Sequence, residues 1–528
     1  MYRILVSDPL EKTGLAMLRE SGHQVDELAA EDKPRLTEIL GDYDALVVRS
    51  GTTVTADVLK AGRRLRVVGR AGIGVDNVDT KAATELGILV VNAPTANLIS
   101  ATEHTFALLL ALARNVASAH IDLQNEQWNR KKWVGAELQD KTLGLIGFGR
   151  IGQQVARRAR AFDMKILAYD PFLSDDAVRK AEAQPMELEA MLAEADVVTL
   201  HVPLTDETRN ILSGDRLRAM KKGALLVNCA RGGTVDEAVL YELLESGHIA
   251  GAGLDVFSQE PPADYSLAKH PRVVATPHLG AQTQEAQVRI STQTARMVLA
   301  ALGGSLEVSA VNLPFRPAGK SGTPWLRLAD KLGRLASCLG DGADLRRLEV
   351  VLHGVAEELH APVTVAATKG VLTRSMGDTV NFVNAETVAV ERGIEVRRVI
   401  ADSRQTGYPN YLEIRLASGD EERIIGGTLF EDNEGRILQL DEYRLEFRPK
   451  GSLLVVRNRD VPGVVGQLGT VLGDAGLNIA EIHLARQTDA GKAMAVARLD
   501  QAPSDEVLEK VRALPAVIDA DRVDLGEI

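Results

Sequence analysis

Three ionisable side chains follow strand-like runs in the middle of the chain, and their types suit acid–base chemistry. Arg231 lies in NCARGGTVDE, Glu260 in LDVFSQEPP and His278 in RVVATPHLGAQT. The unperturbed pKa of histidine lies near neutrality, so His278 could accept the proton of an alcohol, and a neighbouring carboxylate would orient its ring and raise its pKa. Arg231 could bind a carboxylate through two hydrogen bonds and polarise the carbonyl of a keto acid.

Each of these residues also has an ordinary interpretation. Taken alone, Arg231 could form a surface ion pair, Glu260 could be a solvated loop acid, and His278 could be a core or capping residue. A metal site at His278 is disfavoured, because no HxH, HExxH or cysteine pair lies nearby. Ligands of open parallel sheets bind at the carboxyl ends of the strands, where all three residues are expected. That shared edge favours one active site over three coincidences.

A glycine-rich turn opens the same region. The stretch GLIGFGRIGQQVARRARAFDMKILAYD contains Gly147, Gly149 and Gly152 between a strand and a helix, and a second strand ends in Asp170. The glycines allow a tight turn, close approach of a pyrophosphate and close helix–strand packing, and the acid can accept hydrogen bonds from ribose hydroxyls. We therefore predict dinucleotide binding, and NAD rather than NADP, because Asp170 would repel a 2′-phosphate.

The organisation of the chain shows which elements must position these residues. Residues 2–95 alternate strand-like runs with helical stretches, a long apolar helix is predicted at Leu98–His120, and a second series with six strand-like runs extends to about residue 278. The predicted fold class is α/β, with two lobes: a Rossmann-like NAD domain inserted in a flavodoxin-like substrate domain, then an α+β domain and a ferredoxin-like βαββαβ domain. The predicted boundaries are 1–97 with 281–314 for the substrate domain, 98–280 for the NAD domain, 318–447 for the third and 452–528 for the fourth.

Composition excludes several classes of protein. The 528 residues include 61 basic and 73 acidic ones, for a net charge of -12, so nucleic acid is not expected as a partner. Two cysteines cannot form a disulfide framework. No signal-peptide pattern or membrane-length apolar run is present, so we expect a cytoplasmic protein that does not bind a membrane.

The ordered motifs resemble the D-isomer-specific 2-hydroxyacid dehydrogenases. The similarity rests on GFGRIG, Asp170, HVPLT, NCARGG, LDVFSQEPP and TPHLGAQT. Within that family, VRSGTTV, VVGRAGIGVDNVD and NAPTANLISATEH resemble the branch that oxidises 3-phospho-D-glycerate to 3-phosphooxypyruvate with NAD, the first step of L-serine biosynthesis. The two C-terminal regions resemble the intervening domain and the ACT domain of its long form.

The resemblance implies roles for individual residues. Arg231, Glu260 and His278 would be catalytic. The implied NAD contacts are Gly147, Gly149, Arg150, Ile151, Gly152, Asp170, Cys229, Ala230, Arg231, Asp255, His278, Leu279, Gly280 and Ala281. The implied substrate contacts are Arg49, Ser50, Arg70, Gly72 and Asn97, with the two arginines on the phosphate.

Regulation is also implied by the resemblance. ACT domains bind amino acids between paired copies, so L-serine is the expected effector, with Asp460 and Asn478 as its contacts and a homotetramer as the expected assembly. An ACT domain that only dimerises is the alternative. In the intervening domain, Thr368–Val396 is predicted as a glycine-broken turn followed by a helix, with Lys369 and Arg374 as a solvated basic turn or an anion site.

Two other functions compete with this interpretation. One is a different D-2-hydroxyacid dehydrogenase, such as a glyoxylate or hydroxypyruvate reductase, which the outer-lobe arginines and the ACT region disfavour. The other is an NAD-sensing regulatory protein without catalysis, which the complete arginine, glutamate and histidine set disfavours.

Overall fold

The computed structural model describes residues 1–316, 319–339, 345–402, 407–419, 421–431, 433–487 and 491–526. Residue 318 and residues 527–528, at predicted domain ends, lie outside them. The described residues form four sheets.

The first sheet has five parallel strands in the order β2-β1-β3-β4-β5, which is the flavodoxin-like order that was predicted. Apart from the polar, half-exposed edge strand β2, its strands are runs of mostly buried aliphatic residues, as expected where helices cover both faces of a sheet. The strands are β1 (Arg3–Val6), β2 (Gln24–Glu27), β3 (Ala45–Val48), β4 (Val67–Arg70) and β5 (Leu89–Asn92), and the helices between them are α1 (Lys12–Glu20), α2 (Leu36–Ile39), α3 (Ala56–Ala61) and α4 (Thr80–Glu85).

The second sheet has seven parallel strands in the order β12-β11-β10-β9-β6-β7-β8, a Rossmann order extended by one strand. The strands are β6 (Thr142–Ile146), β7 (Lys165–Tyr169), β8 (Gln184–Pro185), β9 (Val197–Leu200), β10 (Ala224–Asn228), β11 (Ile249–Leu254) and β12 (Val273–Ala275). The two-residue strand β8 was not predicted from the sequence, because so short a strand has no periodicity to detect. The helices are α5 (Leu98–Ala113), α6 (Val116–Gln124), α7 (Arg150–Arg160), α8 (Asp175–Lys180), α9 (Leu188–Glu194), α10 (Gly214–Ala219), α11 (Glu237–Ser246), α12 (Ser266–Lys269) and α13 (Gln284–Leu302).

The single helix predicted at Leu98–His120 is wrong. The chain forms α5 and α6, which meet at an angle of 62°. Asn115 between them adopts a left-handed conformation with φ of 52°, which asparagine tolerates better than most residues. No single helix in the described ranges is long and apolar enough to span a membrane; only this bent pair passes such a test together.

Helix α13 returns the chain to the first sheet. Ala295, Val298 and Leu302 of α13 pack in the same core as Ile4 and Val47 of that sheet. The second sheet is therefore inserted in the first domain, and the predicted two-lobed fold class is confirmed.

The third sheet is mixed, with the order β14-β13-β15-β16-β17-β18, and only β13 and β14 are parallel. Its strands are β13 (Leu345–His353), β14 (Glu395–Ala401), β15 (Tyr411–Ser418), β16 (Glu421–Leu429), β17 (Gly435–Leu440) and β18 (Tyr443–Phe447), and its helices are α14 (Gly319–Cys338), α15 (His360–Met376) and α16 (Ala385–Glu391).

The basic turn predicted near residue 368 is wrong, because Lys369 and Arg374 lie within helix α15. The glycine that suggested a turn, Gly370, instead allows close helix packing: a side-chain carbon there would lie 2.1 Å from the carbonyl oxygen of Asp330 on α14. Lys369 Nζ pairs with Asp330 Oδ1 at 2.8 Å, and Arg374 donates to the carbonyl oxygen of Ser337. Both cations hold α14 and α15 together, so the solvated-turn interpretation fails.

The fourth sheet is antiparallel in the order β20-β21-β19-β22, which is the predicted ferredoxin-like arrangement. Its elements are β19 (Ser452–Arg459), α17 (Val464–Asp474), β20 (Ile479–Gln487), β21 (Lys492–Leu499), α18 (Asp505–Arg512) and β22 (Val517–Asp524). Leu453 and Val455 of this sheet share a core with Phe447 of the third sheet.

Candidate active site

The glycine turn joins β6 to α7 at the carboxyl edge of the second sheet. Gly147 has φ of 89°, and a side-chain carbon there would lie 2.7 Å from the carbonyl oxygen of His201. At Gly152 such a carbon would lie 2.3 Å from the carbonyl oxygen of Gly147, so the helix packs directly on the turn. Packing within the protein therefore requires both glycines.

Gly149 has a different environment, which fits a dinucleotide. Among the described residues, no atom outside the adjoining backbone lies within 4 Å of where its side-chain carbon would stand, so protein packing does not demand glycine there. Gly149 caps the N-terminus of α7, where backbone N–H groups and the helix dipole favour a pyrophosphate. The Asp170 carboxylate accepts the backbone N–H of Phe148 at 2.8 Å and of Phe172 at 3.0 Å, which fixes it with lone pairs left for ribose hydroxyls.

Cofactor choice gives the first test. Wild-type protein is expected to have a higher kcat/KM with NAD than with NADP, because Asp170 repels a 2′-phosphate. Asp170→Ala should lower kcat/KM for NAD by about 10- to 100-fold, because hydrogen bonds to a charged group are lost. It should also reduce the preference for NAD over NADP. Asp176→Ala on the exposed face of α8 is the matched control. A wild-type preference for NADP would contradict this role.

The remaining predicted NAD contacts line the same edge. Arg150 and Ile151 begin α7, and Cys229 and Ala230 follow β10. Burial raises the pKa of the Cys229 thiol to about 12, so this cysteine stays protonated and is not a nucleophile. Leu279, Gly280 and Ala281 follow His278, and their backbone is described with Asp255 below.

His278 and Glu260 lie in direct contact. His278 Nδ1 is 2.6 Å from Glu260 Oε2, although the two residues come from loops after different strands, β12 and β11. The hydrogen bond to Glu260 raises the pKa of His278 against the opposing effect of partial burial. Burial alone would raise the pKa of Glu260. The hydrogen bond and the positive charge of His278 have the larger combined effect, so the pKa of Glu260 is lowered. The pair can accept a proton at the imidazole and stabilise the resulting charge.

A pH–rate profile tests this pairing. The base must be neutral to accept a proton, so kcat/KM for alcohol oxidation should rise with pH as His278 deprotonates. Glu260→Gln removes the main cause of the raised pKa, so the acidic limb is expected to move to lower pH while the plateau falls. Glu285→Gln, at an exposed carboxylate in the first turn of α13, should leave the limb in place. If the acidic limb of the pH–rate profile stays at the same pH in Glu260→Gln, Glu260 does not raise the pKa of His278.

Arg231 reaches across to the first lobe. Its Nε donates to Asp76 Oδ2 at 2.9 Å, and its Nη1 donates to the carbonyl oxygen of Ala230 at 2.6 Å. A side-chain carbon at Gly74 would lie 1.8 Å from Arg231 Nη2, so the guanidinium lies against the AGIG backbone. Asp76 was not anticipated from the sequence, since nothing in its local pattern distinguishes it from other loop acids.

The predicted substrate residues of the first lobe lie around this guanidinium. Burial, together with the charges of Arg231 and Arg49, lowers the pKa of Arg70 to about 10, against the opposing effect of Asp76 and Asp8. Arg70 Nη1 lies over Gly72, and its buried Nε has no partner among the described residues. The three arginines repel one another, and although Asp76 and Asp8 lie nearby, the cluster is suited to an anionic ligand.

The remaining predicted substrate residues of the first lobe are Arg49, Ser50 and Asn97. Arg49 Nη2 donates to Gln287 Oε1 at 2.6 Å, and Gln287 in turn donates to the carbonyl oxygen of Ala281 at 2.9 Å. Ser50 is exposed beside Arg49. Asn97 precedes α5, and its buried Oδ1 has no partner among the described residues. Gln287 was missed by the sequence reasoning, because its contact with Arg49 joins residues 238 positions apart and exists only in the fold.

Asp255 organises the segment that carries His278. Its carboxylate is buried and accepts the backbone N–H groups of Leu279 and Gly280 at 2.6 and 2.8 Å. Burial would raise the pKa of Asp255, but hydrogen bonds from His104 and Thr276 keep it low. Both carboxylate oxygens are thus engaged within the protein, so its predicted contact with NAD would use the remaining lone pairs.

The two predicted effector contacts are not brought together within one chain. Asp460 precedes α17 and Asn478 follows it, so about 16 Å of helix separates them. Arg486 Nε lies 3.4 Å from Asp460 Oδ1, and Asn478 donates to Asp500 at 2.9 Å. These residues could share a ligand only if a second copy supplies one of them.

Three family models match the chain. Residues 106–280 match the NAD-binding domain of D-isomer specific 2-hydroxyacid dehydrogenases. Residues 322–441 match the D-3-phosphoglycerate dehydrogenase intervening domain, and residues 452–516 match the ACT domain.

Full-length relatives give the same result. The chain is 38% identical over 529 residues to the D-3-phosphoglycerate dehydrogenase of Bacillus subtilis, covering 99% of this chain and 100% of the relative. It is 41% identical over 532 residues to that of Methanocaldococcus jannaschii, with 99% and 100% covered. Among solved structures, D-lactate dehydrogenase from Aquifex aeolicus, complexed with NAD and lactic acid, is 30% identical with a TM-score of 0.53, covering 58% of this chain and 96% of that one.

Proposed function

The chain belongs to the D-3-phosphoglycerate dehydrogenase family, and from this premise we propose how its residues carry the reaction. It catalyses the NAD-dependent oxidation of 3-phospho-D-glycerate to 3-phosphooxypyruvate, which begins L-serine biosynthesis. The observation that carries the assignment of roles is the 2.6 Å contact between His278 and Glu260 at the edge that holds the glycine turn.

His278 is the proposed base. Glu260 engages Nδ1 of the imidazole, so Nε2 is the nitrogen left to accept the hydroxyl proton of the substrate. Gly147–Gly152 and Asp170 would hold NAD, which would supply the hydride acceptor for the substrate carbon that carries the hydroxyl. Glu260 then stabilises the imidazolium that His278 has become.

Arg231 is proposed to bind the substrate carboxylate and to polarise the carbonyl that forms. Its present partner Asp76 is about half exposed and can move aside or share the guanidinium. Arg49 and Arg70 are proposed to bind the phosphate, since Arg70 is buried and close to two like charges. Gly72 and Asn97 are proposed as further substrate contacts, and so is Ser50, which is exposed beside Arg49.

The experiment that tests this function is NADH formation from 3-phosphoglycerate and NAD by the purified protein. Turnover of 3-phosphoglycerate is expected, with weak reduction of glyoxylate and hydroxypyruvate. Reduction of those two keto acids without any turnover of 3-phosphoglycerate would replace this function by the alternative reductase.

L-serine is the proposed effector of the ACT domain. Because Asp460 and Asn478 lie at opposite ends of α17, the ligand would bind between paired copies. The homotetramer and the cytoplasmic location stay predictions.

A steady-state assay with serine tests this regulation. Millimolar L-serine is expected to inhibit the wild type and to act less on Asn478→Ala, while Asp474→Ala at the exposed end of α17 serves as control. No inhibition at millimolar serine would favour an ACT domain that only pairs the chains.

A further inference from the structure

The backbone at His278 adopts a conformation that a histidine rarely takes. Its φ is 57°, in the left-handed region, directly after the Thr276-Pro277 pair. Such a conformation persists only where the surroundings hold it in place. The His278 backbone N–H donates to the carbonyl oxygens of Asp255 at 2.8 Å and Thr276 at 3.0 Å. The position of the imidazole therefore depends on what holds Asp255 and residues 279–280.

Helix α5 contacts this segment through side chains. His104 Nε2 lies 3.1 Å from Asp255 Oδ1 and 2.9 Å from Thr276 Oγ1. The Thr276 hydroxyl donates to the same carboxylate oxygen at 2.7 Å, so its hydrogen is already used. Both partners of His104 Nε2 are therefore acceptors toward it, and this nitrogen must carry a hydrogen.

Ser100 makes the second contact from α5. Its buried hydroxyl donates to the carbonyl oxygen of Gly280 at 2.7 Å. Ser100 and His104 are four residues apart, so they lie on the same face of the helix. The N–H of Gly280 is bound by Asp255 and its carbonyl by Ser100, so the peptide groups on both sides of Gly280 are fixed.

We propose that Ser100 and His104 are positioning residues that hold the His278 imidazole in place, through Gly280 and through Asp255 respectively. The proposal deepens the proposed function and rests on His278 being its base. Glu260 orients the imidazole ring, and the α5 contacts fix the backbone from which the ring projects. A displacement of about 1 Å in a reacting group can cost about 100-fold in rate, so loss of these contacts should appear in kcat.

Variants at position 104 test the donated hydrogen bond. His104→Leu is expected to lower kcat by about 10- to 100-fold, with kcat measured per NADH-binding site so that a misfolded fraction does not count. His104→Gln keeps a side-chain N–H that can reach Asp255, so it should recover most of the lost rate. KM for NAD is measured beside kcat, because Asp255 and Gly280 are also predicted NAD contacts; the larger effect is expected on kcat. The His120→Ala variant, on the exposed part of α6, is the matched control.

The outcomes separate the hypotheses. A kcat for His104→Leu equal to that of wild type, or equal losses in the Leu and Gln variants, would overturn the role of His104. If His104→Leu does not fold, Ser100→Ala removes one hydroxyl with little change in volume and should still lower kcat; an unchanged kcat would overturn the role of Ser100. Wild-type turnover of 3-phosphoglycerate is measured first, so its absence would count against the proposed function and not against these contacts.

Discussion

Replacing His278 by alanine is expected to lower kcat for 3-phosphoglycerate oxidation by about 100- to 10,000-fold, the range that a positioned general base contributes. The affinity for NAD should remain close to that of wild type, because the glycine turn and Asp170 lie on other strands of the sheet. The loss should persist at high pH, since no imidazole remains to deprotonate. Steady-state kinetics with NADH binding measured by fluorescence would check both expectations.

His120→Ala is the control for a histidine outside the cleft. A His278→Ala variant that keeps most of its kcat would show that another group accepts the proton. An equal loss in NADH binding would instead show that His278 acts mainly through the cofactor site.

The second large effect is expected at Arg70. Arg70→Ala should raise KM for 3-phosphoglycerate by about 10- to 100-fold, because hydrogen bonds to a charged phosphate are among the strongest that a side chain makes. KM for NAD should change little, since Arg70 ends a strand of the other lobe. The substitution should also reduce the electrostatic repulsion among the three arginines in the unliganded cleft. The melting temperature of Arg70→Ala without substrate should therefore not fall steeply.

Arg63→Ala, at an exposed arginine of the same lobe, serves as the matched control. An unchanged KM for 3-phosphoglycerate in Arg70→Ala would contradict a phosphate contact. A parallel rise in the KM for NAD would show that the substitution disturbs the lobe as a whole.

Much of the fold could be predicted from the sequence where the constraint is local. Gly147 must adopt a positive φ, and Gly152 must pack against the backbone of Gly147, so the turn is visible as a motif. The alternation of buried strands and helices likewise sufficed for the two parallel sheets and their domain insertion.

Other features depend on contacts between distant parts of the chain. Gly370 looked like the break of a turn, yet it is the point where two helices touch. The bend at Asn115 depends on one residue in the left-handed region, which hydrophobic periodicity does not report.

Some contacts of the candidate site could likewise be predicted from the sequence, and others could not. Glu260 and His278 could be paired from the sequence, because adjacent parallel strands end at one edge. The ion pair between Arg231 and Asp76 spans 155 residues and two lobes, and the bond between Ser100 and Gly280 spans 180. Neither leaves a local pattern, so only the folded chain reveals them.

The most direct test of the proposed substrate compares 3-phosphoglycerate with D-glycerate, which lacks only the phosphate, in NADH formation by the wild-type protein. The arginine cluster predicts a kcat/KM for 3-phosphoglycerate that is at least about 100-fold higher, from loss of the charged hydrogen bonds. Equal kcat/KM values for the two acids would contradict the assignment of 3-phosphoglycerate as the substrate.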